Sequence, residues 1–198
     1  MSLMDQLTDV VTQQISQQAA QKTGLSEGLA SQMMPMAMAA LMGAMKKNAS
    51  QPAGAEALSN ALERHDGSLL NNISQLGNDD VLADGQKILR HVLGGKQSQT
   101  EQALAKTAGI DASQVSQLLA MAAPAVLASL GRAKREQNLD VSSLAGLVTE
   151  ESIRVQKAAP SELGGLMQFL DQDGDGDFKD DLLESAGKKL LGGLFGKR

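Results

Sequence analysis

Residues 171–181 spell Asp-Gln-Asp-Gly-Asp-Gly-Asp-Phe-Lys-Asp-Asp and place six carboxylates in eleven positions. An EF-hand type of calcium loop takes side-chain oxygens from its positions 1, 3 and 5, has glycine at position 6, and uses a backbone carbonyl at position 7. The residues that match these five positions are Asp171, Asp173, Asp175, Gly176 and Asp177. The spacing therefore predicts a site for Ca2+, with Mg2+ as the alternative ion.

The last position of such a loop usually provides a bidentate Glu, but position 12 here is Leu182. We expect a shortened calcium loop that closes through Asp180 or Asp181. The competing interpretation is a solvated acidic turn, because Asp and Gly are common turn residues.

The charge balance favours the metal site. The chain has 23 acidic and 18 basic residues, and residues 171–181 contain six of the acids and one base, which leaves 17 of each elsewhere. The whole excess of negative charge therefore lies in this loop. Carboxylates packed this closely repel one another unless a cation compensates them.

Catalytic motifs are scarce. The two histidines, His65 and His91, both follow an arginine near a predicted helix end, where they can bond free carbonyls and interact with the helix dipole. His65-Asp66 resembles the adjacent pair of metal-dependent phosphohydrolases, but two histidines cannot complete that ligand set. The chain has no Cys and no Gly-x-Ser-x-Gly or Gly-Lys-Ser/Thr motif. We expect a non-enzymatic protein, with a metal-dependent hydrolase around His65 and Asp66 as the alternative.

The aromatic content indicates the fold class. The chain has no Trp or Tyr, and its three Phe are at positions 169, 178 and 195. A core of Ala, Leu, Met, Val and Ile suits packed helices, whereas strands draw on aromatic and β-branched residues. Stacking platforms for nucleic acid are missing and the pI is near 5.0, so no nucleic-acid partner is expected.

The chain shows no secretory signal and no run of about 18 apolar residues, so no membrane span is predicted. We expect a cytoplasmic protein, with export by a signal-independent route as the alternative.

Helix signals recur along the chain and indicate an internal duplication. The first helix ends near residue 24, the second is capped by Ser26 and ends near Lys47, and the third begins at Pro52 and ends at His65. Shorter helices follow at 69–76 and 80–91, and Ser98 with Glu101 has the spacing of a capping box. The segments 22–26 and 35–41 resemble 106–111 and 124–130, and a helix from 141 to about 151 matches the third helix. The pattern predicts an all-α, compact multihelical array with two copies of a three-helix unit.

The two long helices that contain Pro35 and Pro124 are apolar on nearly all sides, which is typical of a central helix or an interface helix. Six of the ten Met lie between residues 33 and 45. They indicate flexible core filling; an adaptable docking groove or a copper-binding methionine patch is the alternative. Because so much apolar surface is difficult to cover internally, we also expect a homo-oligomer, with an unknown protein as a further partner.

Segments 41–50, 63–70 and 88–96, together with 169–177 and 190–196, resemble the YidB-like family of bacterial proteins, a domain of unknown function. The resemblance implies a compact multihelical fold and a bacterial source. It implies no activity and no catalytic residue.

The chain divides into a duplicated domain, residues 1–158, and a C-terminal appendage, residues 159–198. The appendage is predicted to be helix-loop-helix-like, with a final helix from 180 to about 195 that has leucines beside lysines. This helix either folds back on the body or contacts a membrane surface or a partner.

Overall fold

The computed structural model describes residues 15–158, and all the regular structure in that range is helical. The α-helices are α1 (described over residues 15–23), α2 (Glu27–Ala49), α3 (Pro52–Arg64), α4 (Asp79–Val92), α5 (Gln97–Ala108), α6 (Ala112–Glu136) and α7 (Val141–Ala158). Three short 3-10 helices, Ser68–Asn71, Ile73–Gly77 and Gly94–Lys96, fill the connections on either side of α4. The prediction of a compact all-α array is confirmed.

The two long helices α2 and α6 form the centre of the array. Ser26 caps α2 as predicted, because its hydroxyl accepts a hydrogen bond from the Leu29 N–H at 3.3 Å. Between residues 33 and 42 only Pro35 is not fully buried, and residues 118–131 of α6 are buried without a break. A helix buried on all its sides must lie inside the bundle. The methionines of α2 that lie in this stretch are therefore core residues.

The outer helices bury one side each. In α4, Ile88 and Leu89 face the core while Lys87 and Arg90 are exposed. Gly85 allows α4 to approach α6 closely, since a Cβ at this position would lie 1.9 Å from the Ala120 carbonyl oxygen. The last described helix, α7, packs along α2 and buries Leu144, Val148 and Val155.

The uncovered apolar surface from which a homo-oligomer was predicted is not present on α2 and α6. We expected the apolar sides of α2 and α6 to remain partly uncovered, whereas the surrounding helices cover both. Among the described residues, Ile153 is the one large apolar side chain that is exposed. Self-association itself stays a prediction without this argument.

The element order agrees with the predicted duplication, which itself stays a prediction. In both halves a helix ends at a glycine with positive φ, Gly24 and Gly109, and is followed by a long central helix with an internal proline. The sequence comparison pairs α7 with α3, but the packing of the helices indicates a different pair. Because α7 packs along α2 as α4 packs along α6, the packing counterpart of α7 is α4 rather than α3.

Three local predictions need correction. The capping box at Ser98 and Glu101 is wrong, because α5 already begins at Gln97 and Glu101 accepts instead from the Gln97 side chain at 2.9 Å. The helix predicted at 69–76 is two 3-10 helices, which are separated at Asn72, whose φ and ψ of −144° and 73° are not helical. The helix predicted to end near 151 continues to Ala158.

Candidate functional site

The predicted metal site lies outside the described residues. Its six aspartates, at positions 171, 173, 175, 177, 180 and 181, and Leu182 all belong to the segment after residue 158. Within residues 15–158, no group of three or more His, Cys, Asp or Glu side chains is placed to hold a metal ion. The described part of the chain therefore offers no competing metal centre.

The second predicted site, His65-Asp66, lies in the connection after α3. His65 ends α3, and Gly67 takes φ 94°, a left-handed conformation that favours glycine. The Asp66 carboxylate accepts a hydrogen bond from the Ser68 N–H at 2.9 Å, so the side chain closes the turn it belongs to. The sequence 65–68 thus makes a tight turn out of α3.

Three basic residues near the end of α6 bind this turn and the helix α3 before it. Arg132 donates from Nη2 to the Gly67 carbonyl at 3.0 Å and to Asn71 Oδ1 at 2.7 Å. The remaining two side chains bind α3 and its end: Lys134 Nζ donates to the Ser59 carbonyl at 2.8 Å, and Arg135 Nη1 lies 3.0 Å from Asp66 Oδ2. The positively charged side chains near the C-terminal end of α6 are therefore engaged in contacts within the fold.

The pKa of Asp66 lies below its usual value. The largest cause is the hydrogen bond from the Ser68 backbone, followed by the Ser68 side chain, and the nearby Arg135 lowers it further. Each of these groups favours the charged carboxylate. Asp66 is therefore held as an anion by structural partners, and both of its oxygens are engaged.

His65 is not joined to Asp66 in a catalytic arrangement. Its Nε2 faces Asp84 Oδ2 of α4 at 3.8 Å, which is beyond hydrogen-bond length. His91 is exposed in the last turn of α4. The two adjacent residues that the sequence singled out thus face different partners, α4 for His65 and α6 for Asp66.

The paired glutamates of α7 face apart, as their adjacency predicts. Glu150 is exposed, whereas Glu151 is buried and its Oε1 lies 3.1 Å from Arg154 Nη1.

One helix in the described range, α6, is long and apolar enough by length and composition to cross a membrane, and most of its apolar stretch is buried inside the bundle. A core helix of a soluble protein passes the same test, so this property does not indicate a membrane site.

A family model matches residues 5–133, which is more than half of the chain. Its family is described as a bacterial protein of unknown function, DUF937. The chain belongs to this family. No curated protein and no solved structure matches the chain. The match covers α1 to α5 and nearly all of α6, and it ends before α7 and the acidic loop.

Proposed function

We propose that this DUF937 protein is a non-enzymatic interaction or structural module that binds Ca2+ through its C-terminal loop, residues 171–181. The observation that supports the proposal is the spacing of Asp171, Asp173 and Asp175 before Gly176, in the one segment that has the entire net negative charge of the chain. Oxygen ligands at alternate positions suit a hard divalent cation. Asp177, Asp180 and Asp181 complete the set of candidate ligands. Mg2+ is expected to bind more weakly, since it demands stricter octahedral geometry.

The alternative function, a metal-dependent hydrolase around His65 and Asp66, has less support. To bind a metal, Asp66 would have to break its hydrogen bond to Ser68 and its ion pair with Arg135. The metal would also need ligands in addition to His65 and Asp84. These residues are better explained as the connection that joins α3 to α6. A metal-dependent turnover that His65→Ala abolishes would favour the hydrolase.

The proposal also concerns the relation to the YidB-like proteins and the role of the C-terminal appendage, residues 159–198. We propose that the chain is also related to the YidB-like proteins, which it resembles in segments 41–50, 63–70, 88–96, 169–177 and 190–196. Membrane contact through the tail is the remaining alternative. It predicts liposome binding that is lost when residues 186–198 are deleted.

Calorimetry of the full chain tests the calcium site. Titration with Ca2+ should give saturable heat with a stoichiometry of one, and Mg2+ should give weaker heat. Ligand binding to the folded state stabilises it by about 2.7 kcal/mol at a hundredfold excess over Kd. The tail should therefore become more resistant to protease when Ca2+ is present.

The matched comparison uses two double variants that each remove two acidic charges. Asp173→Ala with Asp175→Ala should abolish the heat. Glu56→Ala with Glu136→Ala removes two exposed carboxylates of the helical body and should leave the heat unchanged. If the wild-type chain gives no saturable heat at millimolar Ca2+, residues 171–181 are an acidic turn and the proposal is wrong.

A further inference from the structure

A positive surface forms where the C-terminal ends of α2 and α4 meet. The Asn48 side chain donates to the Val92 carbonyl at 2.9 Å and so joins the two helix ends. The cations within five residues of Asn48 along α2 and of Val92 along α4 are Lys46, Lys47, Lys87 and Arg90, which we call the basic surface. No acidic residue occurs from 28 to 55 or from 85 to 100. Nothing in these two segments therefore neutralises the basic surface.

The basic surface differs from the cations at the C-terminal end of α6. In α6, Arg132 and Arg135 bind the turn that follows α3, and Lys134 binds a carbonyl within α3. Within residues 15–158, none of the four side chains of the basic surface makes an ion pair or a side-chain hydrogen bond. The C-terminus of a helix favours nearby cations, but it does not pair their charges with an anion. Lys46, Lys87 and Arg90 are exposed and Lys47 is half-buried, so their donors are available to an anionic ligand.

We propose that the basic surface binds the acidic loop of the same chain, residues 171–181, when that loop holds no Ca2+. The inference rests on the proposed calcium site. Residues 15–158 contain 13 acidic and 13 basic residues and have no net charge, whereas the loop has six acids and one base. The charge of the loop is thus complementary to that of the basic surface.

The linker is long enough for this contact. Residues 159–170 extend to about 40 Å when fully stretched. The 23-residue helix α2 is about 34 Å long. The loop can therefore reach the basic surface from either end of the bundle.

Calcium and the basic surface then compete for the same carboxylates. Aspartates that coordinate Ca2+ cannot also bind Lys46 or Arg90, and the bound ion lowers the negative charge of the loop by two. By linkage, whatever holds the metal-free loop weakens Ca2+ binding by the same factor. Calcium binding should release the loop from α2 and α4, which would make the contact a calcium-controlled switch.

The test measures the Ca2+ affinity of the full chain by calorimetry at low salt. The triple variant Lys46→Gln, Lys87→Gln and Arg90→Gln should bind Ca2+ at least about fivefold more tightly than wild type. Raising the salt to about 0.5 M should remove most of this difference, since exposed charges are screened.

The matched control is Arg64→Gln, Lys106→Gln and Lys157→Gln. These side chains are exposed and have no ion pair within residues 15–158, so the control changes the net charge equally without touching the basic surface. If the control tightens Ca2+ binding as much as the test variant does, the effect comes from overall charge and the inference is overturned. Unchanged affinity in the test variant overturns it as well, whereas no Ca2+ binding in wild type defeats the proposed function itself.

A distance measurement gives a second readout. The chain has no Cys, so spin labels at Ala83→Cys, which is exposed on α4, and Gln172→Cys report one distance only. We expect a short-distance population without Ca2+ that disappears on adding Ca2+ or on introducing the test variant. A distance distribution that neither change alters would overturn the inference.

Discussion

The carbonyl oxygen of His65 lies directly against Gly131, so that a Cβ on Gly131 would fall only 1.8 Å from it. This contact brings the end of α3 onto the central helix α6 at the level where Arg132 and Arg135 bind the following turn. The close approach places the turn after α3 within reach of the Arg132 and Arg135 side chains.

Gly131→Ala should destabilise the protein by about 1–3 kcal/mol or more, because the obstructing atom belongs to the backbone and cannot rotate away. Gly146→Ala in α7 is the matched control: its added Cβ would meet nothing within 4 Å. That substitution should stabilise by about 0.5–1 kcal/mol through helix propensity. Urea unfolding measures both, and equal effects of the two substitutions would contradict the close contact.

Arg132→Ala should cost about 2 kcal/mol, since hydrogen bonds from a charged donor contribute about 1.5–3 kcal/mol. The substitution removes both the bond to the Gly67 carbonyl and the bond to Asn71. Arg132→Lys should recover only part of the loss, because an ammonium group lacks the planar fork of donors. Lys106→Ala, on an exposed side of α5, should stay within about 0.5 kcal/mol of wild type. A neutral Arg132→Ala would mean that the turn does not depend on α6.

The stabilisation by Asp66 should depend on pH in a defined direction. The pKa of Asp66 is lowered in the folded state, so its contribution is fully present above the unfolded-state pKa of about 3.9 and is lost as the pH falls through the folded-state pKa. The difference in unfolding free energy between wild type and Asp66→Asn should be largest near neutral pH and should shrink below about pH 4. Urea unfolding at several pH values measures it.

The relative size of the effects that lower the Asp66 pKa gives a second test. Because the Ser68 backbone N–H is the larger cause and Arg135 the smaller one, part of the pH-dependent difference should persist in an Arg135→Gln background. If that background removes the difference completely, the ion pair rather than the turn holds the carboxylate.

The sequence predicts those features of the fold that depend on nearby residues. Apolar positions around the whole circumference of α2 and α6 indicate central helices, and Ser26 and Pro52 mark helix starts within one residue of the observed bounds. The bonds between Arg132 and the turn at Gly67 join residues 65 positions apart. The bond between Asn48 and Val92, which joins the two helix ends at the basic surface, likewise connects residues 44 positions apart. Such pairings depend on how the helices cross, and no local pattern encodes that.

The boundary at residue 158 can be tested by two truncations. A chain of residues 1–158 should keep cooperative thermal unfolding and a helical circular dichroism spectrum, because α7 and the central helix α2 it covers are both retained. A chain of residues 1–140 also loses α7, and with it the buried side chains Leu144, Val148 and Val155. Each such side chain contributes about 1.5–3 kcal/mol by burial, and their sum is comparable to the whole stability of a typical domain. The shorter chain should therefore lose its cooperative transition. If the longer chain unfolds without cooperativity as well, residues 159–198 belong to the folded domain and the proposed division of the chain is wrong.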